Sequence, residues 1–342
     1  MPFIANIWNQ AGESYLTDTP PARSLSYHIE KVKGMQPVKG FGVGDIVGRK
    51  SYNFDIYFKI TEINKGPDGR NIAKLKGLHM RLCASAPLDD LVKIDPAELA
   101  DYLREQARES SEHLRRIFIR REKVRQFSLE RGAKKGDKGK KSDEPVSGSN
   151  ANGIYGFDVP GSVLHIDGDG DYLELCLTTY KRLSIPAHGY SIEEAQQPEV
   201  VEGLLIKHSP DLLVLTGHDG FIKGKENYAD IDNYYSSKYF VKAVKAARRY
   251  EKSMDDLVIF AGACQSHYEA ILAAGANFAS SPQRVMIHAY DPVFVVEKIA
   301  YTSIFDPISI REVITDTITG FSGIGGVETR GKFRLGLPTS PY

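Results

Sequence analysis

Between residues 162 and 275 the chain alternates four times between a short apolar run and a segment of helical spacing. The runs are "SVLHID", "IPAHGYSI", "DLLVLTGHDG" and "LVIFAGACQS". The segments that follow them are "DYLELCLTTYKRL", "PEVVEGLLIKH", "YYSSKYFVKAVKAARRY" and "HYEAILAAG". Continuous apolar runs suit strands covered on both faces, and helices supply the long crossovers that parallel strands need. This region therefore predicts a mostly parallel, flavodoxin-like α/β sheet with helices on both faces. Ligands of such sheets sit beyond the carboxyl ends of the strands. The residues to inspect are those that close each run: Asp167, Asp169 and Asp171 after the first, Gly217, His218 and Asp219 after the third, and Gly262 to Gln265 after the fourth.

The rest of the chain has a different texture. Residues 1–40 carry little periodicity and read as an N-terminal extension. From Phe41, "FGVGDIVGRKSYNFDIYFKITEIN" and "NIAKLKGLHMRLCASAP" alternate apolar and polar residues around a "GPDG" turn signal, which predicts a small SH3-like β domain over 41–94. Cys83 lies in one of these runs and reads as a small buried residue. Asp95 and Pro96 open a helical connector over 95–131, strongly basic toward its end, which Gly132 is expected to close. Residues 132–153, "GAKKGDKGKKSDEPVSGSNANG", hold almost nothing apolar and read as a flexible linker. The α/β domain follows over 154–342. "RVMIHAYDPVFVVEKIA" is mixed in character, and "ETRGKFRLGLP" is a candidate edge strand.

Composition narrows the function. Lys plus Arg and Asp plus Glu are equal at 44 each, so the molecule as a whole shows no bias toward nucleic acid. No signal-peptide pattern opens the chain and no apolar run is long enough to span a membrane. The three cysteines are widely spaced with no CxxC pair, which argues against a disulfide framework or structural zinc and favours a reducing, intracellular setting. No metal or cofactor is expected. "GVGDIVG" precedes a β-rich stretch rather than a helix, so it is no dinucleotide fingerprint.

A thiol at the carboxyl rim, next to a helix start, is expected to be acidified by the helix and available as a nucleophile. A histidine on a neighbouring strand could serve as base and then acid. Cys264 and His218 fit these roles. Position alone leaves the alternative open that Cys264 is only a small packed residue where strand turns to helix. His267 is either a second base or a cap, and His165 reads as a buried, bonded histidine. Asp167, Asp169 and Asp171 could bind a hard cation, cap the next helix or face the cleft; His288 and Asp291 could line it.

"LLVLTGHD" and "LVIFAGACQS" look like the His-then-Cys signature of cysteine peptidases with the caspase–hemoglobinase fold. More closely, "GDIVGRKSY", "VLHIDGDGDYL", "FAGACQSH", "AGANFASSP", "RVMIHAYDPVFVVEKIAYT" and "GIGGVETRG" resemble the YabG family of sporulation-specific peptidases, from about residue 41 onward and excluding the linker. The resemblance implies a caspase-like domain with Cys264 as nucleophile and His218 as its partner, with the backbone amides of Asp219 and Cys264 holding the oxyanion. The broad clan usually has glycine where Asp219 stands. The resemblance also implies spore coat and cortex-associated protein substrates, and location in the mother-cell cytoplasm and spore coat. Cleavage after arginine is a further implication, so an acidic pocket is expected, with Asp167 and Asp169 as first candidates. Arginine specificity would make 115–116, 120–121 and 130–132 self-cleavage sites. Two rivals stand beside this reading: a thiol-dependent amidohydrolase of small molecules, and a catalytically idle coat-assembly scaffold. Oligomeric state is not legible.

Overall fold

The computed structural model describes residues 40–66, 69–136 and 157–336. The described residues from Phe41 onward fall within one compact unit. The expectations for residues 1–39, the tip of the "GPDG" turn and residues 137–156 of the linker lie outside the described residues.

Five strands open the described chain: β1 (Ile46–Arg49), β2 (Tyr57–Lys65), β3 (Asn71–Gly77), β4 (Cys83–Pro87) and β5 (Leu91–Lys93). They form one antiparallel sheet in the order β4-β3-β2-β1-β5. The alternation seen in the sequence sorts Val47, Phe58, Ile60, Ala73, Leu75, Ala86 and Leu91 into a separate small core. Cys83 departs from its expected burial. It starts β4 on the solvent side and is exposed.

Helix α1 (Pro96–Gly136) is a single 41-residue helix. Asp95 Oδ1 accepts the Ala97 amide at 2.8 Å at its start. Gly132 does not end the helix, because one glycine costs only about 1 kcal/mol inside a helix. Leu114 and Ile117 of α1 pack into the main core. Arg120 and Arg121 both pair with buried Glu297, which fastens the basic stretch to the α/β body.

After β6 (Phe157–Val159) come β7 (Val163–Asp167), α2 (Gly170–Arg182), β8 (Ala187–Ser191), α3 (Gln197–His208), β9 (Leu212–Thr216), α4 (Ser237–Tyr250), β10 (Val258–Ala261), α5 (Tyr268–Ala273) and β11 (Phe278–Ser280). The remaining elements are α6 (Asp291–Ala300), β12 (Pro307–Ile308), α7 (Ile310–Thr315), β13 (Ile324–Gly326), β14 (Thr329–Arg330) and β15 (Arg334–Gly336). The main sheet runs β13-β11-β10-β9-β7-β8. Every pairing in it is parallel except that of β13. The antiparallel edge strand is thus β13, with β8 at the other edge; "ETRGKFRLGLP" instead forms β14 and β15, which pair with β12 and β6 in two small ribbons.

Alternation along the strands explains the layers. Val163, Leu212, Val214, Val258 and Phe260 face α2 and α6 in one core. Leu164, Ile166, Leu213, Leu215, Ile259 and Ala261 face α3, α4 and α5 in the other. The order of β8, β7 and β9 reverses direction between β7 and β9. That junction is the switch point where doubly wound sheets open a crevice at their carboxyl ends.

Candidate active site

The switch point carries Asp167-Gly168-Asp169 at the tip of β7 and Thr216-Gly217-His218-Asp219 at the tip of β9. Register holds the two tips side by side, with Asp167 opposite Thr216. Glu194, from the loop after β8, wedges between them. A Cβ on Gly168 or on Gly217 would run into its carboxylate, so two glycines make room for one acid. Its Oε1 accepts the His218 amide at 2.6 Å. Nothing in the sequence singled out Glu194, because its role depends on a loop crossing both tips.

His218 is largely buried, with its ring set edge-on to Tyr172 at 5.8 Å. Nε2 lies 2.8 Å from Asp169 Oδ2 and 3.5 Å from Cys83 Sγ. Nδ1 is buried and has no hydrogen-bond partner. Burial disfavours the imidazolium, yet the Asp169 carboxylate and the Cys83 sulfur overcome it and raise the pKa to about 10. Asp169 also caps α2, accepting the Asp171 amide at 3.0 Å and the Tyr172 amide at 3.3 Å. Despite burial, His218 and Lys76 hold its pKa down at about 2. One Asp169 side chain therefore both caps α2 and holds His218.

Cys264 lies three residues beyond β10, whose ladder to β9 fixes the loop beside the His218 loop. The chain must turn sharply there: Gly262 has φ +111° and Gln265 φ 55°. A Cβ on Gly262 would press on Ser280 Oγ. The Cys264 side chain is buried. Its Sγ accepts the Ile287 amide at 3.3 Å. Among the described residues it makes no hydrogen bond to His218, and such bonds often tighten only when substrate is bound. The expected acidification by a helix is not found. Helix α5 is six residues long and begins four residues later, while burial pushes the thiol pKa up to about 12 against the Ile287 amide.

Asp219 aims its carboxylate into the protein. It accepts the Ser236 amide at 2.7 Å, the Ser266 hydroxyl at 2.8 Å and the Ser237 hydroxyl, tying the His218 loop to the Cys264 loop and to α4. Burial raises its pKa against these hydrogen bonds. Its carboxyl group is thus engaged within the protein.

The remaining candidates fall in distinct places. Asp167 is fully buried, and its Oδ2 accepts Arg81 Nη1 at 2.6 Å and the Thr216 hydroxyl at 2.8 Å. Burial alone would raise its pKa; the guanidinium holds it well below the usual carboxylate range. His165 is buried between the Thr216 hydroxyl and Tyr180. His288 is buried and stacked on His79 at 6.1 Å, and burial drops its pKa to about 3. Asp291 is buried, accepting the amides of His288 at 3.0 Å and Ile318 at 2.7 Å. His267 caps α5. Among the described residues no group of three or more His, Cys, Asp or Glu is arranged to hold a metal ion, and no helix is long and apolar enough to cross a membrane.

The β3–β4 hairpin turn, Gly77 to Leu82, covers this rim. Tyr172 donates its hydroxyl to the carbonyls of Gly77 and Met80, at 2.6 and 2.7 Å. Lys76 Nζ sits 2.6 Å from both Asp169 and Asp171. Sequence reading missed Lys76 and Arg81, since alternation assigns them to a strand but not to a partner.

Comparison with known proteins identifies the family. The model of the YabG peptidase U57 family matches residues 42–338. The sporulation-specific protease YabG of Bacillus subtilis (strain 168) is 41% identical over 299 residues, spanning 87% of this chain and 98% of that protein. No solved structure matches. The chain belongs to the YabG peptidase family.

Proposed function

We propose that the chain is a sporulation-associated cysteine endopeptidase that cleaves spore coat and cortex-associated proteins after arginine. The observation that carries this reading is the pairing of tips. Adjacent parallel strands β9 and β10 deliver His218 and Cys264 to neighbouring loops, and the buried Nδ1 of His218 is left without a partner while Nε2 is anchored on Asp169. An imidazole held through one nitrogen presents the other for proton transfer.

In this mechanism His218 accepts the Cys264 proton, or holds it as imidazolium, and the thiolate attacks the scissile carbonyl. The amides of Asp219 and Cys264 bind the oxyanion. As the C–N bond breaks, His218 protonates the departing amine. Water then hydrolyses the thioester, giving the carboxylic acid and restoring the thiol. Asp169 orients the imidazole and stabilises its charged form. The assignment goes with a caspase-like domain over 154–342, an SH3-like recruiting or restraining module over 41–94, a helical connector that extends past residue 131 to Gly136, and a linker after it up to residue 153. It places the enzyme in the mother-cell cytoplasm and the spore coat. Self-cleavage in the basic connector belongs to the same proposal; the sites at 115–116, 120–121 and 130–132 lie within helix α1, so the helix must open locally first.

The test is incubation of wild type, Cys264→Ala, His218→Ala and Cys83→Ala with an arginine-containing coat-type protein, reading fragments by mass spectrometry. The proposal expects wild type and Cys83→Ala to cut after arginine and the other two to be inactive. Cutting by Cys264→Ala would refute it.

A further inference from the structure

The hairpin turn over the site is built like a bound peptide. Met80 forms an antiparallel bridge with His288. Its two hydrogen bonds run from the Arg81 amide to the Ile287 carbonyl at 3.2 Å and from the Ala289 amide to the His79 carbonyl at 2.9 Å. Residues 79–81 therefore lie antiparallel on 287–289 through one isolated bridge, the kind of main-chain pairing by which extended peptides dock. The same Ile287 donates its amide to Cys264 Sγ, so the stretch that pairs with residues 79–81 also touches the thiol.

Side chains agree with this register. Arg81 is 1% exposed and drops its guanidinium beside the β7 tip, where Nη1 meets Asp167 and Nη2 lies 3.4 Å from Cys176 Sγ. The guanidinium also lies 5.2 Å from the Tyr172 ring. Its Nε is buried without a partner. The guanidinium is thus held by one carboxylate oxygen and one sulfur, with one donor left over. Two residues on, Cys83 Sγ lies 3.5 Å from His218 Nε2, so the side chains of residues 81 and 83 reach Asp167 and the imidazole respectively. The chain does not continue past the site as a substrate would. The Leu82 amide turns back to the Met80 carbonyl at 2.7 Å, and the Gly77 amide closes on the Leu82 carbonyl at 2.8 Å. A Cβ on Gly77 would crowd the Met80 carbonyl, so the tight turn depends on that glycine.

We propose that residues 79–81 occupy the substrate cleft as an internal inhibitor, with Arg81 in the Asp167 pocket that receives the substrate's arginine and with Ile287–Ala289 as the strand that binds the substrate backbone. This rests on the cysteine-peptidase reading and deepens it: the substrate is an extended segment with arginine at the cut, and the antiparallel sheet competes for its place.

The experiment uses the full chain carrying Cys83→Ser, alone and combined with Arg81→Ala, Arg81→Met, or Arg81→Ala plus Asp167→Asn. Arg81→Met keeps an apolar stem in the pocket and covers a loss of packing in Arg81→Ala. Three probes are used: a peptidyl acyloxymethyl ketone ending in arginine, its glutamate analogue, and iodoacetamide. Labelling of Cys264 is followed by mass spectrometry. The arginine probe is expected to label both Arg81 variants about tenfold faster or more than the parent, since a cleft freed of its occupant is available in a larger fraction of molecules. The glutamate analogue should stay slow, and Asp167→Asn should erase the preference for arginine. Equal rates in parent and Arg81 variants, with Cys264 reactive in all, would overturn the inference and leave the peptidase reading standing. So would an arginine preference that survives Asp167→Asn. A Cys264 inert to all three probes in every variant would overturn both.

Discussion

The loop after β10 and the first residue of β4 each bring a thiol toward His218, on opposite terms. Cys264 is buried, fixed by parallel ladders on the rim, and its pKa is pushed up to about 12. Cys83 is exposed, arrives on the antiparallel sheet, and touches His218 Nε2 at 3.5 Å. The nearer thiol owes its position to how the hairpin docks; the farther one owes its position to the sheet itself. In the proposed mechanism the nucleophile is the thiol attached to the rigid scaffold rather than the one nearer the imidazole.

The sharpest way to break that contrast is to delete each sulfur. Cys264→Ala is expected to lower peptide cleavage by roughly 10⁴-fold or more, whereas Cys83→Ala is expected to stay within about tenfold of wild type in the same fragment assay.

The next effect concerns the hairpin's hold. Asp167→Asn leaves Arg81 buried beside a neutral group, so denaturant unfolding is expected to show a loss of about 3–5 kcal/mol. Adding Arg81→Met to Asp167→Asn is expected to recover much of it, because the buried charge then goes as well. If the double variant is no more stable than the single one, the pair is not what joins the two regions.

Asp169→Asn is expected to cut the rate by about 10²-fold, the usual scale for a disturbed general base. It also carries a pH signature. His218 is raised from its ordinary value of 6.5 to about 10, so its contribution to stability is complete below 6.5 and is lost as pH rises through about 10. Asp169 is lowered from 3.8 to about 2, so its contribution is complete above 3.8 and is lost as pH falls through about 2. The destabilisation by Asp169→Asn should be greatest between those ordinary values, and an NMR titration should show His218 moving down toward 6.5. Lys76→Ala is the mildest change. Lys76 bridges Asp169 and a largely exposed Asp171, and unfolding should register a loss of about 1 kcal/mol.

The sequence made the parallel sheet legible because each buried strand is one apolar run and each crossover is amphipathic. The same periodicity led to the tips carrying His218, Asp219 and Cys264. It failed where meaning is tertiary. Cys83 sits in an alternating run yet faces outward at the start of β4. Arg81 reads as a strand residue, and only docking of 79–81 on 287–289 gives it Asp167. Glu194 lies in a loop with no pattern, and its place is visible only as the space left by Gly168 and Gly217. The thiol's acidity was misread because a helix start was assumed at Cys264, and burial outweighs a six-residue helix that begins four residues later.

The most direct test of the account is to find which sulfur carries the reacting carbon. Wild-type chain is treated with the arginine acyloxymethyl ketone until cleavage of the coat-type protein stops, and the adduct that accumulates in step with that loss is mapped by peptide mass spectrometry. The account predicts that adduct on Cys264. An adduct on Cys83 alone, with Cys264 unmodified in the inactivated enzyme, would contradict it.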